Sequence, residues 1–261
     1  MKIIVFIKQV PDTDKVKLDP KTGNLKREGV KSMLNPYDAN AIETALEIKD
    51  AVGAQVCVVS MGPPQAGAVL KKALAMGCDE AYLLSDRVFG GADTLATGYP
   101  LAKAAEKIGG ADLLIFGKCS SDAETAQTGP IVAEFLDLPQ VTLVKDIRTD
   151  GEFAVCTREV GDIRQIVRVK MPAVIAVGDG INSPRYPSPV NIKKVNTKPF
   201  TVWNAEQLGA EPEKVGIPGS PSVTKRIFEP KKRDTQTVWF SDAPSQAAKE
   251  IVAALKKEQL I

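Results

Sequence analysis

A run of small polar residues follows an apolar segment near the middle of the chain and offers groups that suit phosphate. Residues 111–116 read ADLLIF, the pattern of a buried strand, and residues 117–130 read GKCSSDAETAQTGP. A helix that begins directly after such a strand presents backbone N–H groups without a partner inside the helix, and these favour an anion. Ser121 and Glu124 have the spacing of a capping box, which predicts that the helix begins here. An ordinary, well-capped connection remains an equal alternative on spacing alone.

Comparable stretches follow other segments of the chain that are predicted to be strands or to lead into helices. They are NPYD at 35–38, SMGPP at 60–64 and FGGADTLATG at 89–98. In the last stretch, Gly90 and Gly91 permit close approach of the backbone. Asp93, Thr94 and Thr97 then place polar groups on one helical turn. Each stretch alone is weak evidence, because glycine-rich loops usually only turn the chain, but four at one predicted sheet edge favour a nucleotide-binding cleft.

Some kinds of chemistry are excluded by the composition. The chain has 261 residues and no histidine, so Ser-His-Asp and Cys-His nucleophile systems and HExxH zinc sites are absent. Neither a GxxxxGK[ST] P-loop nor a GxGxxG motif after the first strand is present. Acid–base work would fall to carboxylates, lysines or tyrosines. The sequence therefore favours a bound cofactor that carries the chemistry and predicts no catalytic side chain.

Charge and cysteine content indicate a reduced, cytoplasmic environment. The net charge of +2 predicts no general affinity for nucleic acid. The four cysteines form no CxxC pair, which is typical of a reduced protein and not of a disulfide scaffold. No run of 18 apolar residues occurs, so we expect no membrane insertion. The N-terminal segment MKIIVFIKQVPD is interpreted as a first strand and not as a signal peptide.

The elements that must position these polar stretches alternate along the first 140 residues. Strands are predicted at 2–9, 55–62, 80–86 and 111–118, and helices at 35–54, 63–77, 93–110 and about 121–138. In the last helical region, Gly129 before Pro130 permits a break, and a second short helix is expected to follow. The strands are apolar on both sides, which is typical of a parallel sheet covered on both faces. The predicted fold class is a doubly wound, mostly parallel α/β sheet of Rossmann-like type. Such sheets bind ligands beyond the carboxyl ends of the strands, near a switch in strand order.

Later segments depart from this alternation. Residues 139–171 contain three segments with the alternation of antiparallel strands, and residues 172–180 return to a buried strand. A hairpin is also predicted at 16–27, around a Pro-Lys-Thr-Gly-Asn turn. We therefore expect a nucleotide-binding domain at 1–190 that includes an antiparallel excursion.

The remaining residues, 191–261, are expected to form an extended arm. Seven prolines fall between residues 181 and 221, so this part of the chain buries little within itself. The arm closes with an amphipathic helix whose stripe includes Ile251, Val252 and Leu255. We expect the arm to wrap a partner subunit, and the alternative is a flexible tail.

Taken together, the motifs resemble the small (beta) subunit of electron-transferring flavoproteins. The likeness covers essentially the whole chain. It rests on the order and spacing of these motifs: VFIKQVPD, MLNPYDANAIETAL, VVSMGPPQA, KKALAMGCDEAYLL, GKCSSDAETAQTGP, VKMPAVIAV and NSPRYPSPVNIKKV. The chain departs from the family pattern at 158–174, where Gly161, Asp162, Ile163 and Gln165 replace an acidic residue, two glycines and a glutamate.

The resemblance implies a heterodimer with a flavin-carrying alpha subunit, redox-active only as a complex. In the non-bifurcating branch the small subunit holds a structural AMP. In the bifurcating branch it holds a second FAD, which takes a hydride from NADH. The two electrons then divide between the alpha-subunit flavin with its dehydrogenase and a low-potential acceptor such as ferredoxin or flavodoxin. FGGADTLATG resembles the bifurcating branch, so FAD is expected and AMP is the alternative.

The resemblance also implies which residues bind the nucleotide. By position they are Phe6, Asn35, Pro36, Tyr37, Asp38, Met61, Cys119, Ser120, Ser121, Asp122, Ala123, Glu124, Thr125, Ala126, Gln127, Thr128, Gly129 and Pro130. Gly90, Gly91, Asp93, Thr94 and Thr97 are added for the isoalloxazine and ribityl side. NSPRYPSPVNI at 182–192 matches a loop that docks an acyl-CoA or related flavin dehydrogenase, and a rigid surface turn is the alternative.

Overall fold

The computed structural model describes residues 1–12, 31–223, 225, 237–241 and 243–261, together with two short strand pieces at 17–18 and 25–26. The chain divides into two compact units, Met1–Lys225 and Arg226–Ile261.

The first unit is an α/β assembly, and the second contains a single helix among its described residues. The strands are β1 (Lys2–Phe6), β2 (Gln9–Pro11), β3 (Lys17–Leu18), β4 (Leu25–Lys26), β5 (Ser32–Leu34), β6 (Gln55–Met61), β7 (Glu80–Leu84), β8 (Leu113–Gly117), β9 (Gln140–Thr149), β10 (Phe153–Val160), β11 (Ile163–Lys170), β12 (Ala173–Val177) and β13 (Phe200–Trp203). The helices are α1 (Pro36–Val52), α2 (Gly67–Met76), α3 (Thr94–Ile108), α4 (Thr128–Phe135), α5 (Pro189–Lys194), α6 (Ala205–Leu208) and α7 (Pro244–Lys257).

Nine strands form one twisted sheet in the order β11-β10-β9-β12-β8-β1-β6-β7-β13. In this spatial order, every neighbouring pair between β9 and the edge strand β13 is parallel, while the pairs β9–β10 and β10–β11 are antiparallel. The expected mostly parallel α/β fold with an antiparallel excursion is therefore confirmed. The hairpin expected at 16–27 is present as the antiparallel pair β3–β4, and its turn lies outside the described residues.

Helices cover both faces of the sheet, as the buried strands require. Ile3 and Val5 of β1 belong to a core that α1 and α2 close, whereas Ile4 and Phe6 belong to a second core beneath α3 and α4. All four side chains are almost completely buried. Burial of alternate residues against opposite helical layers explains why the parallel strands are continuously apolar.

Local sequence signals account for most helix ends. Gly53 ends α1 in the left-handed conformation, with φ of 78°, and donates its N–H to the Lys49 carbonyl. Asp93 begins α3 by accepting the N–H groups of Leu95 and Ala96 at 3.0 Å. Pro100 lies inside α3 without ending it.

The helix expected to begin at Ser121 is absent, whereas the short helix α4, Thr128–Phe135, lies close to the second short helix expected after the break at Gly129 and Pro130. The capping box is absent because Ser121 donates its N–H to Asn35, and because Glu124 adopts a positive φ of 52° that no helix tolerates. Residues 119–127 therefore form a loop, which we call the phosphate loop.

The compact unit extends beyond the boundary expected near residue 190. Strand β13 lies inside the predicted arm, yet it pairs in parallel with β7 and forms the edge of the main sheet. Trp203 packs on Tyr82, with ring centroids 4.9 Å apart. These aromatic residues therefore have a local core within the first unit, Met1–Lys225.

Candidate functional site

The strand order reverses between β1 and β8. From β1 the chain passes to β6 and β7 on one side and then returns to place β8 on the other side of β1. In open α/β sheets, ligands bind beyond the carboxyl ends of the strands at such a reversal. Phe6 ends β1, and the phosphate loop follows Gly117 at the end of β8.

Asn35 anchors the phosphate loop from the neighbouring strand end. Its side chain is fully buried. The amide nitrogen Nδ2 donates to the Cys119 carbonyl at 2.9 Å, and Oδ1 accepts the Ser121 N–H at 3.1 Å. Both ends of the amide therefore bind the loop, so the Asn35 side chain positions it.

Asp38 holds the ends of β1 and β8 together. Its Oδ2 accepts the Lys8 N–H at 2.7 Å, and a Cβ atom on Gly117 would lie 2.5 Å from its Oδ1. Only glycine at position 117 allows this approach. Burial raises the pKa of Asp38 to about 7, although hydrogen bonds from the Lys8 backbone and the Asn35 side chain act in the opposite direction.

An ion pair ties the phosphate loop to the end of β1. Lys8 Nζ lies 2.7 Å from Asp122 Oδ1 and 3.4 Å from the Ser120 hydroxyl. Burial acts to raise the pKa of Asp122, but the contacts with Lys8, together with hydrogen bonds from the Ser120 side chain and the backbone, hold the pKa below its usual range. Lys8 was not among the predicted site residues, although its position at the end of a buried strand was a usable signal.

The phosphate loop stores backbone strain and keeps donors free. Glu124 and Ala126 have φ of 52° and 54°, a conformation that costs a non-glycine residue about 1–2 kcal/mol. Gln127 then returns to the right-handed region. Alternation of this kind turns successive N–H groups to one side and forms a concave anion-binding surface.

The donors of this loop fit a nucleotide phosphate. Within the described part of the chain, no protein acceptor receives the backbone N–H groups of residues 125–129. Thr128 and Gly129 lie in the first turn of α4, where the helix dipole favours negative charge. The donor set therefore suits an anion such as a phosphate, and the nucleotide-binding role expected for 119–130 stays a prediction.

Phe6 is buried beneath the first turn of α4 as one of a stacked pair of rings. Its ring stacks on Phe116 with centroids 4.3 Å apart, and both side chains are about 95% buried. A Cβ atom on Gly129 would lie 3.3 Å from the Phe116 ring. The stacked pair therefore supports the first turn of α4 from below, and glycine at 129 lets the helix approach it.

A second loop reaches the phosphate loop from the end of β7. The Thr94 hydroxyl donates to Gln127 Oε1 at 2.9 Å, which brings the predicted stretches 89–98 and 117–130 together. Thr97 lies on the same helix, half-buried. Met61, at the end of β6, is also half-buried and borders the core beneath α3.

Two residues predicted to line the cofactor are used by the protein itself. The Asp93 carboxylate caps α3 with Oδ1 and binds Ser222 with Oδ2. Gly91 has a φ of 73°, and a Cβ atom there would lie 2.7 Å from Ile217. The positive φ and the contact with Ile217 therefore each require glycine at this position.

Charged residues around Tyr37 extend the same edge. Lys118 Nζ lies 5.0 Å from the centre of the Tyr37 ring and 3.1 Å from Asp179 Oδ1. The hydrogen bond to Asp179 raises the pKa of Lys118. Asp179 follows the buried strand β12, and this position is a sequence signal of the same kind as those at the other strand ends.

The described residues contain neither a helix suited to a membrane nor a group suited to a metal ion. Within the described ranges, no helix combines the length and apolar character needed to cross a bilayer. The same residues contain no group of three or more carboxylates and cysteines arranged to hold a metal ion.

Comparisons with known proteins agree with this arrangement. A family profile described as "Electron transfer flavoprotein domain" matches residues 22–208. The chain is 44% identical to the caffeyl-CoA reductase–Etf complex subunit CarD of Acetobacterium woodii over the full length of both proteins. It is 42% identical to the electron transfer flavoprotein subunit beta of Thermoanaerobacterium thermosaccharolyticum, again over both full lengths. It is 38% identical to protein FixA of Sinorhizobium fredii, with 99% of this chain and 95% of FixA covered. The chain belongs to the electron transfer flavoprotein family, as a beta subunit.

Proposed function

We propose that this beta subunit, paired with an alpha subunit, binds FAD beyond the carboxyl ends of β1 and β8 and serves electron bifurcation from NADH. The observation that carries the proposal is the strained phosphate loop with its free N–H donors at the reversal of strand order. When bound, FAD would supply the redox chemistry, namely acceptance of a hydride from NADH and transfer of single electrons to the alpha-subunit flavin with its dehydrogenase and to ferredoxin or flavodoxin.

The residues of this chain bind and orient the nucleotide. The N–H groups of residues 125–129 receive the phosphates, and the hydroxyls of Ser120 and Thr125 lie on the same loop. Asn35 and Asp38 fix the loop against β1. The chain has no histidine, and hydride transfer to a flavin needs chiefly close stacking and orientation. No side chain of this subunit therefore serves as acid or base.

AMP is the alternative ligand, since it carries the same phosphate chemistry. FAD is favoured because the Thr94–Gln127 hydrogen bond brings the loop at 89–98 beside the phosphate loop. The hydroxyl oxygens of Thr94 and Thr97, in the first turn of α3, can still accept hydrogen bonds from a ligand that extends beyond an adenosine. The likeness to CarD over the full chain supports the same choice, because CarD is named as a subunit of a caffeyl-CoA reductase–Etf complex.

An acyl-CoA or related flavin dehydrogenase is the proposed partner in the cytoplasm. The stretch 182–192 presents Tyr186, which is 91% exposed. The preceding Arg185 forms hydrogen bonds of 2.9–3.0 Å with the buried carboxylate of Glu43, which holds the stretch rigidly against α1. A rigid, exposed aromatic residue is a suitable anchor for a partner protein.

Substitution of Thr125 tests the location of the site in the alpha–beta complex. Thr125→Ala should weaken retention of the nucleotide about ten- to hundredfold, since a hydrogen bond to a charged group contributes about 1.5–3 kcal/mol. Thr125→Ser should retain the ligand. Thr149→Ala is the control, because Thr149 lies near Met1 and Asp112, which precede β1 and β8 at their amino ends. Equal nucleotide content after dialysis for Thr125→Ala and Thr149→Ala would contradict the proposed location.

A further inference from the structure

Two carboxylates bracket the loop that follows β7, and each divides its oxygens in the same way. Asp86 accepts the Val88 N–H with Oδ1 at 3.3 Å and the Ala205 N–H with Oδ2 at 3.1 Å. Asp93 caps α3 with Oδ1 and accepts the Ser222 N–H and hydroxyl with Oδ2 at 3.0 and 2.8 Å. One oxygen of each carboxylate thus serves its own loop, and the other serves the segment that follows β13.

The backbones of the two segments are shaped for each other. Gly216 has a φ of 57°, and a Cβ atom there would overlap the Val88 carbonyl oxygen. Ile217 in turn fills the space in which a side chain at Gly91 would lie. The Asp93 N–H donates to the Ser220 hydroxyl at 2.9 Å. Each partner therefore restricts the residue type that the other segment can carry.

The same segment also runs along α3. The Tyr99 hydroxyl donates to Glu211 Oε1 at 3.1 Å, and Lys107 Nζ donates to the Gln207 carbonyl. Lys107 also lies 5.0 Å from the centre of the Trp203 ring. Residues 204–222 thus hold both the helix and the loop that leads into it.

We propose that residues 204–222 form a clasp, and that Asp86 and Asp93 are positioning residues that fix loop 87–92 beside the nucleotide site. The inference rests on the proposed function, because the loop is relevant to electron transfer only if a flavin lies next to it. Thr94 follows Asp93 directly and reaches Gln127 of the phosphate loop. Loss of the contacts between the clasp and loop 87–92 would therefore make this loop mobile and leave the phosphate loop in place.

The test uses the full-length chain in its alpha–beta complex. Asp93→Asn keeps one oxygen for the helix cap and replaces the oxygen that faces Ser222 with an NH2 group, which cannot accept a hydrogen bond. Ser222→Ala removes the hydroxyl from the exposed side of the same contact and carries little risk to folding. Asp150→Asn is the matched control, because Asp150 Oδ1 also accepts two backbone N–H groups, those of Glu152 and Phe153.

Amide hydrogen exchange, read by mass spectrometry, reports on the clasp independently of any flavin. Exchange within residues 87–92 should rise about tenfold in Asp93→Asn and less in Ser222→Ala, with no change in Asp150→Asn. Unchanged exchange in both clasp variants would overturn the clasp, whether or not the wild-type complex holds FAD.

Flavin content and the rate of reduction by NADH then test the positioning role. Asp93→Asn should retain its nucleotide, because the phosphate loop is intact, while reduction by NADH slows tenfold or more. Raised exchange with wild-type reduction would overturn the positioning role. A wild-type complex without FAD in this subunit would refute the proposed function while leaving the exchange result to decide the clasp.

Discussion

At the scale of single residues, Asn35 determines the course of the phosphate loop. Asn35→Ala leaves the Cys119 carbonyl and the Ser121 N–H without their buried partner, at a cost of about 1–3 kcal/mol for each group. The free energy of unfolding in urea should fall accordingly. Asn196→Ala, at an exposed position, should stay within about 0.5 kcal/mol of wild type. Equal stability of the two variants would show that the loop does not depend on this amide.

Asp38 makes stability depend on pH. Burial raises its pKa from 3.8 to about 7, so the folded protein keeps a proton that the unfolded chain releases near pH 4. The stabilisation is fully present below about pH 4 and is lost as pH rises through about 7, with an upper limit of roughly 4 kcal/mol. Urea midpoints measured at pH 5 and pH 8 should therefore differ. Asp38→Asn should reduce that difference, and an unchanged difference would contradict the assignment.

The contact between helices α3 and α4 depends on Gly98. A Cβ atom there would overlap Ile131, so Gly98→Ala should lower the free energy of unfolding by about 1–3 kcal/mol. Gly67→Ala is the control in α2, because its Cβ atom would meet only the Phe200 ring at 3.5 Å. That variant should be neutral or gain up to about 1 kcal/mol from helix propensity. Similar losses for both variants would show that close helix packing is not the reason for glycine at 98.

Elements with strong local signals could be predicted from the sequence, and those fixed by distant contacts could not. The end of α1 at Gly53 follows from the glycine itself. The start of α4 does not follow from Ser121 and Glu124, because Asn35, 86 residues earlier than Ser121, captures the N–H that a capping box needs. The site shows the same contrast. Its location at strand ends was predictable, whereas the use of Asp93 by Ser222 depends on a segment 129 residues later.

At the scale of the whole molecule, the edge strand β13 decides where the arm begins. Phe200–Trp203 has only four residues within a proline-rich stretch, so the sequence gives little sign of a strand. The strand is recognised by its parallel pairing with β7. Beyond it, the described residues of the C-terminal unit expose apolar side chains, such as Trp239 at 88% and Val238 at 68%. These side chains fit the expectation that the arm wraps a partner, which stays a prediction.

Truncation of the chain distinguishes the residues needed for folding from those needed for pairing with the alpha subunit. Removal of residues 226–261 should leave the first unit folded, with a near-wild-type urea midpoint, because its core lies within Met1–Lys225. Stable pairing with the alpha subunit should be lost, since the exposed apolar side chains of the arm need a partner surface. Removal from residue 200 should also destabilise the sheet through loss of β13. Co-purification of the 1–225 chain with the alpha subunit at unchanged affinity would refute the role of the arm.

The identity of the bound nucleotide tests the central claim most directly. The alpha–beta complex would be purified, denatured and its released nucleotides separated and quantified for each heterodimer. The free donors of the phosphate loop and the adjoining loop at 89–98 predict two FAD molecules and no AMP. One FAD with one AMP would contradict the account and would identify the subunit as a structural AMP-binding partner.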